Sequence, residues 1–209
     1  MSYCRVATST YLFMVSSVFI AACGDDVANP QNENEQEVIT TVTLSFTPTN
    51  GGTAIEASFD DPDGEGGAAP TTDAITLTAG STYTVTLQFL NKLEDPPEDI
   101  TEEIEEENDQ HQIFFTGGAV DSPATTNSNA ILEQSYTDMD AYGLPVGLTN
   151  TIVARSVGTA TLTVTLRHLP PIDGNRVKVA SLASEVASGG IGSIAGETDA
   201  TVDFDVTVQ

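Results

Sequence analysis

The sequence contains two histidines, and each stands beside features that could build a metal site. Glu103, Glu107 and His111 recur at intervals of four, so a helix continuing to His111 would carry all three on one face. His168 ends a stretch of alternating apolar residues and keeps the phase of its buried positions. Glu107, His111 and His168 are therefore candidate ligands, since two imidazoles and a carboxylate suit Zn²⁺ or a similar transition metal. The alternative is that each histidine makes only a local hydrogen bond at a strand end.

An acidic loop offers a second kind of metal site. Asp61, Asp63 and Glu65 stand at alternating positions, and Gly64 allows a sharp turn among them. Ca²⁺ takes about six to eight oxygen ligands from such flexible loops, although the helices and distal glutamate of an EF-hand are missing here. The alternative is a polar turn in which Asp and Gly serve only for their backbone tolerance. Ordinary pKa values predict that zinc binding weakens below about pH 6.5, whereas calcium binding persists to about pH 4.

The sequence contains no recognisable catalytic motif. It has no G-x-S-x-G elbow, and its two histidines leave little for nucleophilic catalysis. The glycines from Gly189 to Gly192 do not follow a strand in a βαβ unit, so we interpret them as a loop rather than a phosphate-binding turn. We therefore expect a protein that is not an enzyme.

The charge of the chain excludes one large class of partner. Its 209 residues contain 31 Asp and Glu but only 6 Lys and Arg, giving a formal net charge of −25. Nucleic-acid binding needs a basic surface, so we expect no nucleic-acid partner. A strongly acidic surface instead favours solubility and attracts cations.

The N-terminal segment is typical of an exported lipoprotein. Arg5 precedes an apolar run, Tyr11–Ile20, which is too short to span a membrane as a helix. The run ends in Ile20-Ala21-Ala22-Cys23, which resembles the recognition sequence of the lipoprotein signal peptidase. Residues 1–22 are thus predicted to be the signal peptide and Cys23 the lipidation site. Cys4 leaves with the signal, so the mature domain has no disulfide.

The residues after Cys23 predict where the protein is displayed. Gly24-Asp25-Asp26 resembles the surface-export signal of Bacteroidota lipoproteins. Residues 23–37 are otherwise polar and have little to bury, so we interpret them as a lipidated N-terminus and flexible tether. The expected location is the outer membrane, with the protein anchored by lipid and exposed at the cell surface.

From residue 38 to the C-terminus the dominant period is two. Apolar residues alternate with polar ones, which predicts strands with one buried and one solvated face; Leu166, for example, would face the core and Thr165 the solvent. Turn residues separate these strands. Seven to nine short strands predict an all-β, antiparallel immunoglobulin-like β-sandwich over residues 38–209. The clearest strands are Val38–Phe46, Ile55–Phe59, Ile75–Ala79, Tyr83–Phe89, His111–Phe115, Ala160–His168 and Ala200–Val208.

One segment interrupts the β period. Asp95-Pro96-Pro97-Glu98 is typical of a helix start, and Ile100 and Ile104 would form a single apolar stripe. Glutamates at spacings of four repel one another and shorten the helix. The sequence therefore predicts one short acidic helix in an otherwise β domain.

Several segments together resemble an uncharacterised family of Bacteroidota lipoproteins. They are Glu37–Val42, Asp60–Gly67, Glu98–Glu107, His111–Phe115, Tyr136–Leu148, Thr163–Pro170 and Gly196–Asp199. Members are sometimes labelled as type 1 periplasmic-binding-fold proteins, a fold that alternates strands and helices over a longer chain. The period-two pattern of this sequence predicts a sandwich instead.

These observations predict an outer-membrane-anchored binding module. Its ligand would be a divalent cation, Ca²⁺ or Zn²⁺, held in support of nutrient uptake with an outer-membrane transporter as partner. The alternative is a structural or adhesive immunoglobulin-like domain that has no metal site and contacts a matrix partner. Apart from its lipid, nothing in the sequence predicts a membrane contact.

Lipidation can be tested at Cys23. We expect Cys23→Ser to abolish incorporation of radiolabelled fatty acid, because the thiol that carries the lipid is lost. Replacing Asp25 and Asp26 by Ala should preserve labelling but reduce protease accessibility on whole cells. Normal labelling and membrane retention of Cys23→Ser would contradict the lipoprotein interpretation.

Overall fold

The computed structural model describes residues 37–64 and 66–209 of the chain. Within these ranges the chain forms twelve strands and two α-helices. The predicted signal peptide, Cys23, nearly all of the tether and Glu65 lie outside the described residues. In the described part, no helix is long and apolar enough to cross a membrane.

The strands form two sheets that pack face to face. The larger sheet has the order β3-β2-β1-β5-β10-β9-β8, with β6 paired to β5, and the smaller has the order β4-β12-β11-β7. The larger sheet contains β1 (Thr41–Pro48), β2 (Ile55–Asp60), β3 (Thr71–Thr72), β5 (Thr82–Asn91), β6 (Glu98–Asp99), β8 (Val120–Asp121), β9 (Leu132–Tyr136) and β10 (Thr149–Ala154). The smaller sheet contains β4 (Ile75–Leu77), β7 (His111–Thr116), β11 (Gly158–His168) and β12 (Glu197–Val208). This architecture confirms the predicted all-β sandwich.

The alternating residues place one face of each long strand in a common core. In β5, Tyr83, Val85, Leu87 and Phe89 are buried while the threonines between them are exposed. Side chains of successive strand residues point to opposite faces, so period two in the sequence becomes one apolar face per strand. Residues from both sheets join in one main cluster between them.

Two pairings depart from an antiparallel arrangement. β4 runs parallel to β12, and β8 runs parallel to β9, while the other pairings are antiparallel. Both parallel pairs involve strands of two or three residues at the edge of a sheet. The long strands therefore follow the predicted antiparallel pairing, and only these short edge strands differ.

The acidic helix is present but begins later than the proline pair suggests. Helix α1 spans Ile100–Glu106, and the Asp99 side chain caps it by accepting a hydrogen bond from the Thr101 N–H. Glu98–Asp99 instead pairs with β5, which delays the helix start. Ile100 and Ile104 are buried, as the apolar stripe predicts, and they fix α1 across one end of the core.

A second helix covers the outer face of the smaller sheet. Helix α2 spans Leu182–Gly189, and a 3-10 turn follows at Ile191–Ser193. The helix buries Leu182 and Val186 against Phe114, which points outward from β7. This helix was not predicted from the sequence.

Because α2 packs on this outer face, one residue predicted to be exposed is buried. Thr165, predicted to face solvent, is only 3% exposed. Its hydroxyl lies 3.3 Å from that of Thr201 on β12, and both residues line a pocket that α2 helps to close. Strand alternation specifies that Thr165 points away from the main core, but it cannot show what packs on the other side.

The two buried faces of the smaller sheet predict two costly substitutions. We expect Leu166→Ala to lower the free energy of unfolding by about 2–5 kcal/mol and Phe114→Ala by about 3–5 kcal/mol, because each leaves a cavity. Thr159→Ala, at an exposed position of β11, should stay within about 0.5 kcal/mol. Urea denaturation measures all three. A Phe114→Ala protein as stable as Thr159→Ala would contradict the packing of α2.

Candidate metal centre

Two neighbouring strands bring the histidines together. His111 begins β7 and His168 ends β11, and the antiparallel register of these strands pairs the two residues directly. Both keep the phase of inward-facing neighbours, such as Ile113 and Leu166. The side chains therefore meet at the end of the main core, beside helix α1.

The imidazole rings are stacked and buried. Their centroids lie 4.7 Å apart with an angle of 9° between the planes. His111 is 0% exposed and His168 is 3% exposed. Within the described residues, neither Nε2 atom has a hydrogen-bond partner. Buried polar atoms usually have one, so this pair of nitrogens requires an explanation.

The other ring nitrogen of His111 fixes its tautomer. Nδ1 lies 3.2 Å from the backbone oxygen of Glu107. A carbonyl oxygen can only accept a hydrogen bond, so Nδ1 donates and Nε2 keeps its lone pair. A histidine that ligates a metal is usually oriented in this way, with its second nitrogen bound to a carbonyl or carboxylate.

Glu107 completes a cluster of three possible ligands. It is half-buried at the C-terminal end of α1, where its N–H donates to the Glu103 carbonyl. Ligand atoms of Glu107, His111 and His168 all lie within 4.8 Å of one another. The helix thus ends before His111, and a turn rather than the expected helical face brings Glu107 next to the histidines.

Closing these atoms on an ion requires a small rearrangement. At Zn–N and Zn–O bond lengths of about 2.0–2.2 Å, tetrahedral ligand atoms lie about 3.3–3.6 Å apart. The lone pair of each nitrogen lies in the plane of its ring. Because the two ring planes are nearly parallel, the two lone pairs cannot point at the same ion. One imidazole must therefore tilt out of the stack for both to bind one ion.

Burial keeps both histidines uncharged. Burial, followed by the neighbouring His168, lowers the pKa of His111 to about 4, although its hydrogen bond to Glu107 acts in the opposite direction. Burial also lowers the pKa of His168, against the opposing charges of Glu197 and Glu103. Both rings are consequently neutral at pH 7, which is the form that binds metals.

Further carboxyl groups surround the same end of the sandwich. Burial, then Glu103 and Asp199, raises the pKa of Glu37 to about 7. Burial raises the pKa of Asp199 to about 7, against the opposing charge of Arg167 and with the support of Glu197. These carboxyls hold protons that an approaching cation would displace.

Three of these residues were not identified from the sequence. Glu37 was assigned to the tether, and Glu197 and Asp199 were treated only as part of a family resemblance. No local pattern distinguishes them among 31 acidic residues. Only the packing of β12 beside β11 brings Glu197 and Asp199 to the histidine pair.

In the acidic loop Asp61–Gly64, the two described candidate ligands, Asp61 and Asp63, have different surroundings. Asp63 turns inward on the loop and accepts a hydrogen bond from the Ala68 N–H at 2.8 Å. Asp61 has a buried Oδ1 that lacks a partner among the described residues, and it lines a cleft of about 330 Å³ with Val42 and Asp199. Glu65 lies outside the described residues, so the predicted calcium ligands remain a prediction.

Asp138 has a structural role in the segment between β9 and β10. Its carboxylate accepts hydrogen bonds from the N–H groups of Gly147, Leu148 and Thr149. These bonds fold the segment between β9 and β10 back on itself. A carboxylate so occupied has little capacity left for an ion.

Comparisons of the chain with protein-family models, curated proteins and solved structures gave no match.

The low pKa of His111 predicts that the free energy of unfolding depends on pH. In the unfolded chain this pKa is about 6.5, so the unfolded state binds more protons between about pH 6.5 and 4. The contribution of His111 to the free energy of unfolding should therefore decrease as pH falls through this window, by on the order of 3 kcal/mol in full.

Comparison with His111→Asn isolates this effect. Asparagine can keep a donor near the Glu107 carbonyl but does not titrate. Urea denaturation between pH 7 and 4.5 should show wild type losing more stability than the variant as pH falls. The carboxyls of Glu37 and Asp199 act in the opposite direction, but equally in both proteins. Parallel stability curves would contradict the assignment of a buried neutral His111.

Proposed function

We propose that this protein is an outer-membrane lipoprotein, displayed at the cell surface, that binds Zn²⁺ through Glu107, His111 and His168. It is a binding module rather than an enzyme, and it supplies the captured ion to an uptake system in the same membrane. The single observation that carries the proposal is the pair of buried, unpartnered Nε2 atoms beside a carboxylate.

The two unpartnered nitrogens carry an energetic cost. A buried polar atom without a hydrogen bond costs roughly 1–3 kcal/mol. A cation shared by His111 and His168 would satisfy both atoms at once, and its charge would be balanced by Glu107. Binding therefore removes a cost that the protein without metal carries.

The donor set favours zinc over calcium. Ca²⁺ prefers oxygen ligands, whereas imidazole nitrogen suits Zn²⁺ and related transition metals. Two histidines and one carboxylate are also the ligands of several zinc enzymes, in which a fourth position stays open. In a capture protein, the open position allows the ion to be transferred to an acceptor.

The remaining charge of the protein supports cation capture. The formal net charge of −25 raises the local concentration of cations around an anchored domain. Glu103 and Glu197 place part of this charge close to His168. An ion approaching the surface is thus drawn toward the end of the sandwich that carries the ligands.

One observation favours the competing structural role. Two neutral imidazoles stacked in parallel fill the end of the core without any ion, and this geometry is not that of bound ligands. On that interpretation the sandwich is an adhesive or structural domain that contacts a matrix partner. Metal binding by defined variants separates the two functions.

Titration calorimetry with Zn²⁺ is the direct test. We expect one site in the wild-type protein, and a loss of affinity in His111→Ala and in His168→Ala that exceeds the roughly 10–100-fold effect of losing an outer-shell partner. Glu107→Gln should weaken binding less, because its amide oxygen can still coordinate. The matched control is Glu106→Gln, which removes the same charge from an exposed position of α1 and should bind like wild type.

The pattern of results distinguishes the alternatives. Binding that survives either histidine substitution would contradict a shared site, and equal weak binding by all variants would support the structural function. Varying the pH does not separate zinc from calcium here, because burial brings the pKa of His111 down to about 4, close to that of a carboxylate. A calcium site is tested instead by Asp63→Asn in a Ca²⁺ titration.

A further inference from the structure

A lysine and an aspartate form a buried ion pair beside the turn between β9 and β10. Nζ of Lys178 lies 3.1 Å from Oδ2 of Asp140, and both side chains are 0% exposed. Asp140 belongs to the turn between β9 and β10, and Lys178 to the segment between β11 and α2. A fully buried ammonium is rare, because removing its charge from water costs several kcal/mol.

The hydrogen bonds around Asp140 are unequal. Its Oδ1 accepts from the N–H groups of Tyr142 and Leu144, at 2.8 and 2.9 Å. Its Oδ2 has no hydrogen-bond partner among the described residues, although Nζ of Lys178 is so close. Nζ instead donates to the backbone oxygen of Asn108 at 2.6 Å. The amine therefore lies against the carboxyl group without forming a well-directed hydrogen bond to it.

This arrangement has the parts needed for acyl transfer. Two backbone N–H groups at 2.8 and 2.9 Å hold Oδ1 as an oxyanion hole holds a carbonyl oxygen. They withdraw charge from the Cγ atom of Asp140. The Asn108 carbonyl holds the amine in place beside that carbon. Such fixed neighbours reach effective concentrations of about 10⁵–10⁸ M in favourable cases.

We propose that Lys178 and Asp140 condense spontaneously in the folded domain to form an intramolecular amide bond. The ammonium first passes one proton to Oδ2, which gives an amine and a carboxylic acid. The nitrogen lone pair then attacks Cγ, and the negative charge that develops on Oδ1 is held by the Tyr142 and Leu144 N–H groups. A second proton moves from nitrogen to Oδ2, the Cγ–Oδ2 bond breaks, and one water leaves. No oxidant or co-reactant is needed.

The dry environment supports each step. Burial lowers the pKa of Lys178, opposed by the charge of Asp140, so the neutral amine is more accessible than in water. Burial raises the pKa of Asp140, but the Leu144 and Tyr142 N–H groups and the adjacent Lys178 ammonium outweigh it and hold that pKa below its usual value. The resting state is thus an ion pair, and a single proton transfer between adjacent atoms gives the reactive neutral pair.

A second lysine–aspartate contact provides an internal comparison. Lys92 and Asp60 also form an ion pair, but their side chains are 31% and 33% exposed. Asp60 accepts a hydroxyl hydrogen bond from Thr41 rather than two backbone N–H bonds on one oxygen. Solvent keeps this pair ionised, so no amide is expected between these two residues.

The bond would take the place of a disulfide. Residues 24–209 contain no cysteine, so the exported domain cannot be cross-linked through sulfur. An amide between Lys178 and Asp140 joins the hairpin turn to the segment before α2. It would protect the domain against proteolysis and unfolding outside the cell.

Peptide mapping of the full-length protein tests this proposal. Trypsin cuts after Lys92, Arg155 and Arg176, so the amide should connect peptide 93–155 to peptide 177–209, since a blocked Lys178 is not cleaved. The expected mass is that of the two peptides joined with the loss of one water. Lys178→Arg and Asp140→Ala should lack the branched peptide, whereas the matched control Lys92→Arg should retain the linkage.

Wild-type protein decides the outcome without relying on any variant to fold. A branched peptide 93–155/177–209 that is one water lighter than the sum of its parts supports the proposal. Separate peptides 93–155 and 179–209 from the purified protein, with cleavage at Lys178, would overturn it and leave the pair as a buried salt bridge. A linkage between Lys92 and Asp60 instead would also overturn it.

Discussion

The register of β11 between β7 and β12 is the constraint on which the rest of the structure depends. β11 is buried on both faces along its second half, so a slip of one residue would exchange two complete sets of side chains. Between Leu166 and Arg167 the pairing with β12 shifts past Asp199, whereas the pairing with β7 continues without a break to the strand end. Arg167 stabilises this shift by donating to the backbone oxygens of Ala195 and Gly196.

The same register places two unsatisfied polar atoms side by side inside the domain. Elsewhere the fold supplies partners: Asp138 accepts from three backbone N–H groups, and the Asn150 side chain accepts from Gln134 and donates to the Gly147 carbonyl. The Nε2 atoms of His111 and His168 are exceptions, and they lie where β7 and β11 end together. The proposed cation at the histidines and the proposed amide at Lys178 would each offset the cost of burying these polar groups.

Much of the fold follows from period and turn chemistry. Strands such as β5 and β11 are long and alternate regularly, so their existence and inward faces were predicted correctly. The helix at Ile100 was predicted from an apolar spacing of four, but its start was misplaced because pairing of Glu98–Asp99 with β5 is a long-range contact. Helix α2 was missed, since its short stripe of Leu182 and Val186 has meaning only against Phe114.

The sequence by itself determined which residues alternate, which face of each strand is apolar, and which residue types could bind a metal. These properties are local, because side-chain direction repeats every two residues in a strand and ligand chemistry belongs to each residue. The tertiary structure alone decided that His111 meets His168, that Glu37 lies near Glu103 and Glu107, and that Lys178 reaches Asp140. Those contacts join residues far apart in the chain, and only strand pairing and burial make them neighbours.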